Sequence, residues 1–176
     1  MRQTLIVLTA AMALALPATA LAADGTPNAS QTCKTLRTSM GTGPFEGAYG
    51  TNANKSNAFG KCVSKMSSAQ SADLKGSNTK CKTEQADANF AATHGGKTFE
   101  QFYGTNKNGN NAFGKCVSAK ATEADQARTK TIVNASKTCK AERKSNPDAF
   151  KQKYGTNKNK SNAFGKCVSA QAKAQS

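Results

Sequence analysis

The chain has no tryptophan and a single histidine, His94, among its 176 residues. Beyond residue 22 it holds only two leucines, one isoleucine and four valines. So small a stock of core formers excludes one large hydrophobic core and lies in the range where chains often stay disordered. The lone histidine, with no Cys-x-x-Cys pair anywhere, removes the usual structural zinc patterns. No Ser, His and Asp grouping recurs, and only ten carboxylates stand against 25 lysines and arginines. Catalysis by a triad or a carboxylate pair therefore has little to build on, and His94 beside Gly95-Gly96 reads as a surface-loop residue. Isolated acids such as Glu100 and Asp148 read as first-turn helix charges.

The one long apolar run lies at the N-terminus. Arg2 precedes Leu5–Leu16, then Pro17 and Ala20-Leu21-Ala22, the pattern of a secretory signal peptide. At about a dozen residues the run is too short for an ordinary membrane span. Cleavage after Ala22 predicts a mature chain starting at Ala23 with a net charge of 24 − 10 = +14. Ala23-Asp24 stands where a lipid-anchored bacterial protein carries cysteine, so a free exported product is expected. All six cysteines remain: Cys33, Cys62, Cys81, Cys116, Cys139 and Cys167. An even count in an exported chain favours disulfides.

The block Tyr-Gly-Thr-Asn-x-Asn-x-x-Asn-Ala-Phe-Gly-Lys-Cys-Val-Ser occurs three times, at 49–64, 103–118 and 154–169. A phenylalanine sits four residues before each tyrosine, at Phe45, Phe99 and Phe150. The apolar mass is thus gathered at repeated sites, which implies small local cores with covalent help.

Ala29, Cys33, Leu36 and Met40 fall on one helical face, as do Leu74, Cys81 and Ala88 at steps of seven. Asn28 or Ser30 suits the first N-cap. Phe and Tyr at i, i+4 share a face of a short second helix. Gly50, Gly104 and Gly155 then fit left-handed C-caps. Asn57, Asn111 and Asn162 are expected to N-cap a third helix, which carries Phe, Cys and Val on one side. The glycine inside that helix, in all three copies, suggests close approach of another element. Gly76 is expected to end the helix after the first copy. The β-branched cluster Thr129–Val133, followed by Asn134–Ser136, favours a break between the second and third.

The expected architecture is all-α: a signal peptide at 1–22, then three disulfide-stapled helical-hairpin repeats at 23–70, 71–124 and 125–176. Six cysteines allow 15 pairings. If the units fold alike, the simplest solution is Cys33–Cys62, Cys81–Cys116 and Cys139–Cys167.

Two motif matches fail. Gly109–Cys116 has the Gly and Lys spacing of a phosphate-binding P-loop, but Cys116 replaces the magnesium-binding hydroxyl, the other copies carry Lys55 and Lys160 at the Gly109 position, and no strand precedes it. The Asn-x-Asn loops 51–57, 105–111 and 156–162 contain no carboxylate, which calcium needs. No cofactor is implied. The basic surplus is the most functional bulk property. Lys61, Lys115 and Lys166 recur one residue before each second cysteine, and Lys34, Lys82 and Lys140 one residue after each first. A row of such charges suits a polyanion: a cell-wall polymer, an acidic polysaccharide or extracellular nucleic acid.

The expectation is a secreted or periplasmic non-enzymatic repeat protein that binds such a polymer, with Lys61, Lys115 and Lys166 as the anion-binding residues. The alternatives are a secreted module for a protein partner, and an enzyme or inhibitor with a site the sequence does not reveal.

Overall fold

The computed structural model describes residues 27–175. The expected signal peptide and its cleavage point lie outside the described residues. These contain eight helices and no strand: α1 (Ala29–Met40), α2 (Thr42–Tyr49), α3 (Ala58–Gln85), α4 (Phe90–Thr93), α5 (Phe99–Tyr103), α6 (Ala112–Ser145), α7 (Pro147–Tyr154) and α8 (Ala163–Ala174). The chain is all-α and carries three disulfides: Cys33–Cys62, Cys81–Cys116 and Cys139–Cys167. All six cysteines are fully buried. The bridges close 29, 35 and 28 residues, each worth about 3–4 kcal/mol in the chain-entropy model.

The long helices overturn two expected breaks. α3 runs through Gly76 for 28 residues and α6 is continuous for 34, lengths of about 42 and 51 Å at 1.5 Å per residue. Gly76 costs only about 1 kcal/mol relative to alanine, and buried Ser77 and Cys81 just beyond it continue the inward face. In α6, Ile132, Ala135, Ser136 and Cys139 are buried at helical spacing through the expected break. No Gly or Pro lies between Lys115 and Ser145 to stop it, and β-branching lowers helix propensity only slightly. The boundaries at 70/71 and 124/125 therefore fall inside helices. Each long helix serves two cysteine pairs. Ala88 is exposed and lies beyond the end of α3, so the expected seven-residue stripe stops at Cys81.

α3 packs along α6, α1 lies against both, and α8 lies against the C-terminal part of α6. Two separate cores result. The larger gathers Leu36, Met40, Phe45, Tyr49, Met66, Ile132, Phe150 and Phe164 around two of the bridges. The smaller holds only Cys81, Phe90, Phe99, Ala112 and Cys116 as buried members, with Tyr103, Phe113 and Val117 against them. Cys62 belongs to one core and Cys81 to the other. They are 19 residues apart on α3, or about 29 Å. Burying a large apolar side chain stabilises by about 1.5–3 kcal/mol, so the end holding the smaller core leans much more on its disulfide.

The Asn-rich loop takes one form in all three copies. Asn57, Asn111 and Asn162 precede α3, α6 and α8 as expected, but their side chains do not cap those helices. Each folds back across its own loop instead. Oδ1 accepts the amide of Thr51, Thr105 or Thr156 at 3.0 Å, and Nδ2 donates to the same threonine's Oγ1 at 2.7–2.8 Å. The expected left-handed C-caps are also corrected: Gly50, Gly104 and Gly155 are extended, with φ between −67° and −75°. Glycine is needed there for space, because a Cβ would lie 2.3–2.7 Å from the carbonyl oxygen four residues earlier. Within these loops the left-handed residues are Lys55, Gly109 and Lys160. Lys55 and Lys160 return Nζ to the carbonyls of Gly50 and Gly155 at 3.0 and 2.9 Å. The P-loop-like glycine, Gly109, is thus the second copy's turn residue.

Candidate functional site

Lys61 and Lys166 are exposed at the end of the molecule that holds the larger core, and Lys115 is half-buried at the other end. The structure brings the first two to one end and leaves the third about 29 Å away along α3. The helix starts beside them are partly closed by their own loops. The amides of Ala58, Ala112 and Ala163 already donate to Lys55, Gly109 and Lys160 carbonyls at 2.9–3.1 Å.

Charge follows the same division. Residues 125–176 carry twelve Lys or Arg and three Asp or Glu, and residues 71–124 carry seven and five. Net charges of +9 and +2 make the end built from α1, α8 and the C-terminal part of α6 strongly basic. Among the described residues no carboxylate lies within 4 Å of Lys34, Arg37, Lys61, Lys130, Lys137, Lys140, Lys144 or Lys166, whereas Lys120, Arg128, Lys151 and Lys153 do form ion pairs. Arg143 lies over the Phe164 ring at 4.9 Å.

Where α1, α3 and α6 meet, a polar network interrupts the apolar packing. Asp125 is buried. Its Oδ2 accepts from Thr32 Oγ1 at 2.8 Å, and its Oδ1 accepts from Gln70 Nε2 and Arg128 Nη1, both at 3.0 Å. Arg128 also bonds Asp73. Sequence reading missed this cluster because its members lie on three helices, up to 93 residues apart. The one local signal was Asp125 three residues before Arg128 on a helix.

At the second copy, Tyr103 donates to Glu84 Oε2 at 2.9 Å and Lys120 pairs with Oε1 at 2.7 Å. Burial alone pushes the Glu84 carboxyl up, but hydrogen bonds from Lys120 and Tyr103 outweigh it and hold the group below the usual carboxylate range. Burial and the bond to Glu84 raise the Tyr103 phenol. The third copy repeats the pair: Tyr154 and Lys153 both donate to Glu142 and lower its pKa, Lys153 having the larger effect. In the first copy Leu36 stands where Glu84 and Glu142 stand, three residues after the first cysteine. Tyr49 there is buried, and its pKa is pushed up to about 12.

His94 lies in the turn after α4, as expected, but is half-buried. Its ring stacks on Phe90 at 3.7 Å and meets the edge of Phe102 at 4.7 Å. Phe102, 45 % exposed, is the exposed large apolar side chain of this end. Gly95 and Gly96 do form the expected exposed turn. Among the described residues no three His, Cys, Asp or Glu side chains are placed to hold a metal, and no helix is long and apolar enough to cross a membrane. Comparison with known proteins finds no family model, curated protein or solved structure that matches this chain.

Proposed function

We propose that this chain is an exported, non-enzymatic repeat protein that holds an anionic polymer or surface. The observation that carries the reading is the concentration of positive charge at one end, where Lys34, Arg37, Lys61, Lys140 and Lys166 among others have no carboxylate within 4 Å among the described residues. Self-repulsion among such charges destabilises a compact state, and the buried disulfides offset that cost. Three disulfides fit an oxidising compartment, in keeping with the leader at 1–22 and with secretion or a periplasmic location. Lys61 and Lys166 contribute to the basic end, and Lys115 extends the contact to a polymer long enough to span the molecule.

The test is binding of the oxidised protein to immobilised heparin, teichoic acid and DNA across a salt gradient. Affinity is expected to fall steeply with salt. Lys61→Gln, Lys115→Gln and Lys166→Gln combined are expected to weaken it more than any one alone. Salt-independent retention, or no retention on any of the three, refutes the reading. Terminal sequencing of the exported protein is expected to begin at Ala23. A second reading, a module for a protein partner, has Phe102 in its favour, an exposed ring at the end opposite the basic one. Capture of a partner that survives high salt and is lost in Phe102→Ala selects it.

A further inference from the structure

α1 and α6 run side by side in the same direction: Thr32 reaches Asp125 near one end, and Lys140 approaches Gly41 at the other. Between them lies a cavity of about 750 Å³, within the size range of ligand sites. Lys130 and Lys137 line it from α6, and Lys140 and Lys144 continue the same helix beyond it. Steps of seven, three and four keep these four lysines on one side of α6, over about 21 Å. Among the described residues none of the four has a carboxylate within 4 Å. The one carboxylate on the groove wall, Asp125, already accepts from Thr32, Gln70 and Arg128.

The remaining wall is mostly aliphatic carbon, carries amide and hydroxyl groups of Gln31, Thr35 and Asn134, and has no aromatic ring among its lining residues. Single-stranded nucleic acid is held by aromatic platforms on which bases stack. Amides and hydroxyls flanking a line of ammonium groups match a polymer that alternates hydroxyls with anionic groups. We propose that the α1–α6 groove is the principal binding site of this chain and that its ligand is an acidic polysaccharide. Its carboxylates or sulfates meet Lys130, Lys137, Lys140 and Lys144, and its hydroxyls meet Gln31, Thr35 and Asn134. The proposal rests on the polyanion reading above and moves the main contact away from Lys61, Lys115 and Lys166.

The test uses the full oxidised chain and fluorescence anisotropy with three labelled oligomers of matched charge: a heparin fragment, an oligogalacturonate and single-stranded DNA. The variant Lys130→Gln/Lys137→Gln/Lys140→Gln/Lys144→Gln is expected to lose at least tenfold in affinity for the glycan and to show a shallower salt dependence. The Lys61, Lys115 and Lys166 triple variant is expected to lose less. Gln31→Ala/Asn134→Ala is expected to lose severalfold in glycan affinity with the salt slope unchanged, which a purely electrostatic surface would not produce. Circular dichroism checks the fold, and the half-variants Lys130→Gln/Lys137→Gln and Lys140→Gln/Lys144→Gln, each expected to lose part of the affinity, stand in if the quadruple variant unfolds. Binding to heparin alone places sulfate in the groove, and binding to oligogalacturonate shows that carboxylate suffices. Groove variants that bind glycan like the parent overturn this site while leaving the polyanion reading intact. Tighter binding of DNA than of either glycan overturns the ligand class. Failure of the parent to bind any of the three removes both.

Discussion

Gly60, Gly114 and Gly165 occupy the same place in the three copies of one sequence block, yet their surroundings differ. A Cβ on Gly60 or Gly114 meets nothing within 4 Å. On Gly165 it would sit 2.9 Å from the Gly47 carbonyl oxygen and 3.1 Å from that of Ala48, because α2 packs against α8 there. Close approach, expected from glycine in all three copies, occurs in one. Alanine at an open helical position gains about 0.5–1 kcal/mol over glycine. At Gly165 the same gain is opposed by overpacking of about 1–3 kcal/mol, since the obstructing atoms are backbone and cannot rotate away. Gly60→Ala and Gly114→Ala should each stabilise by up to about 1 kcal/mol, and Gly165→Ala should destabilise by up to about 2 kcal/mol. Urea denaturation of the oxidised protein, followed by far-UV circular dichroism, reads the difference. In a domain of this size 1 kcal/mol moves Tm by roughly 2–4 °C. Three alanine variants with the same sign of effect would refute the packing of α2 on α8.

Cys81→Ser/Cys116→Ser should release the end holding the smaller core while the larger core stands, so amides of α5 and of α6 near Cys116 should lose hydrogen-exchange protection before those of α1 and α8; uniform loss would contradict the division into two cores. Asp125→Ala should cost about 2–4 kcal/mol by stranding Thr32, Gln70 and Arg128, and Asp125→Asn should cost less; equal, small effects in chemical denaturation would show the network to be idle. Glu84 has a depressed pKa in the folded chain, so its contribution is full above the ordinary carboxylate value and is lost as pH falls through the lowered one. Glu84→Gln should therefore flatten the fall in stability below about pH 4.5, the ordinary glutamate value; an unchanged acid limb in the pH–stability profile would argue against the Tyr103–Glu84–Lys120 cluster.

What could be read from the chain follows how local the physics is. The helical faces around Cys33 and Cys62, the Phe–Tyr spacing and the all-α class depend on contacts within a turn or two, and the sequence pattern carries them directly. The bridge pairs follow from repetition, because like units close in like ways. The helix ends were less legible, for reasons visible in particular residues. Asn162 has the chemistry of a cap, but Thr156 offers its side chain both an acceptor and an amide across the loop, and no propensity weighs those two uses. Gly76 resembles a stop signal until the buried face of α3 is seen to continue past it to Cys81. The most consequential omission is the meeting of copies one and three. The block containing Gly165 differs little from those containing Gly60 and Gly114, so nothing local marks it as the one that α2 covers. Gly47 does, since the second and third copies carry Gln101 and Gln152 at that position, and a long side chain there would keep a neighbouring helix at a distance. The departures from the repeat thus record which copies touch: Gly47 where two helices close on each other, Leu36 in place of glutamate beside the larger core, and Phe102 where no other copy arrives to cover the ring. The lysines of α6 belong to the same class of signal. Lys130, Lys137 and Lys144 have no basic counterparts repeated across all three copies, so the repeat pattern does not contain them. Their common side appears only once α6 is known to be unbroken through Asn134.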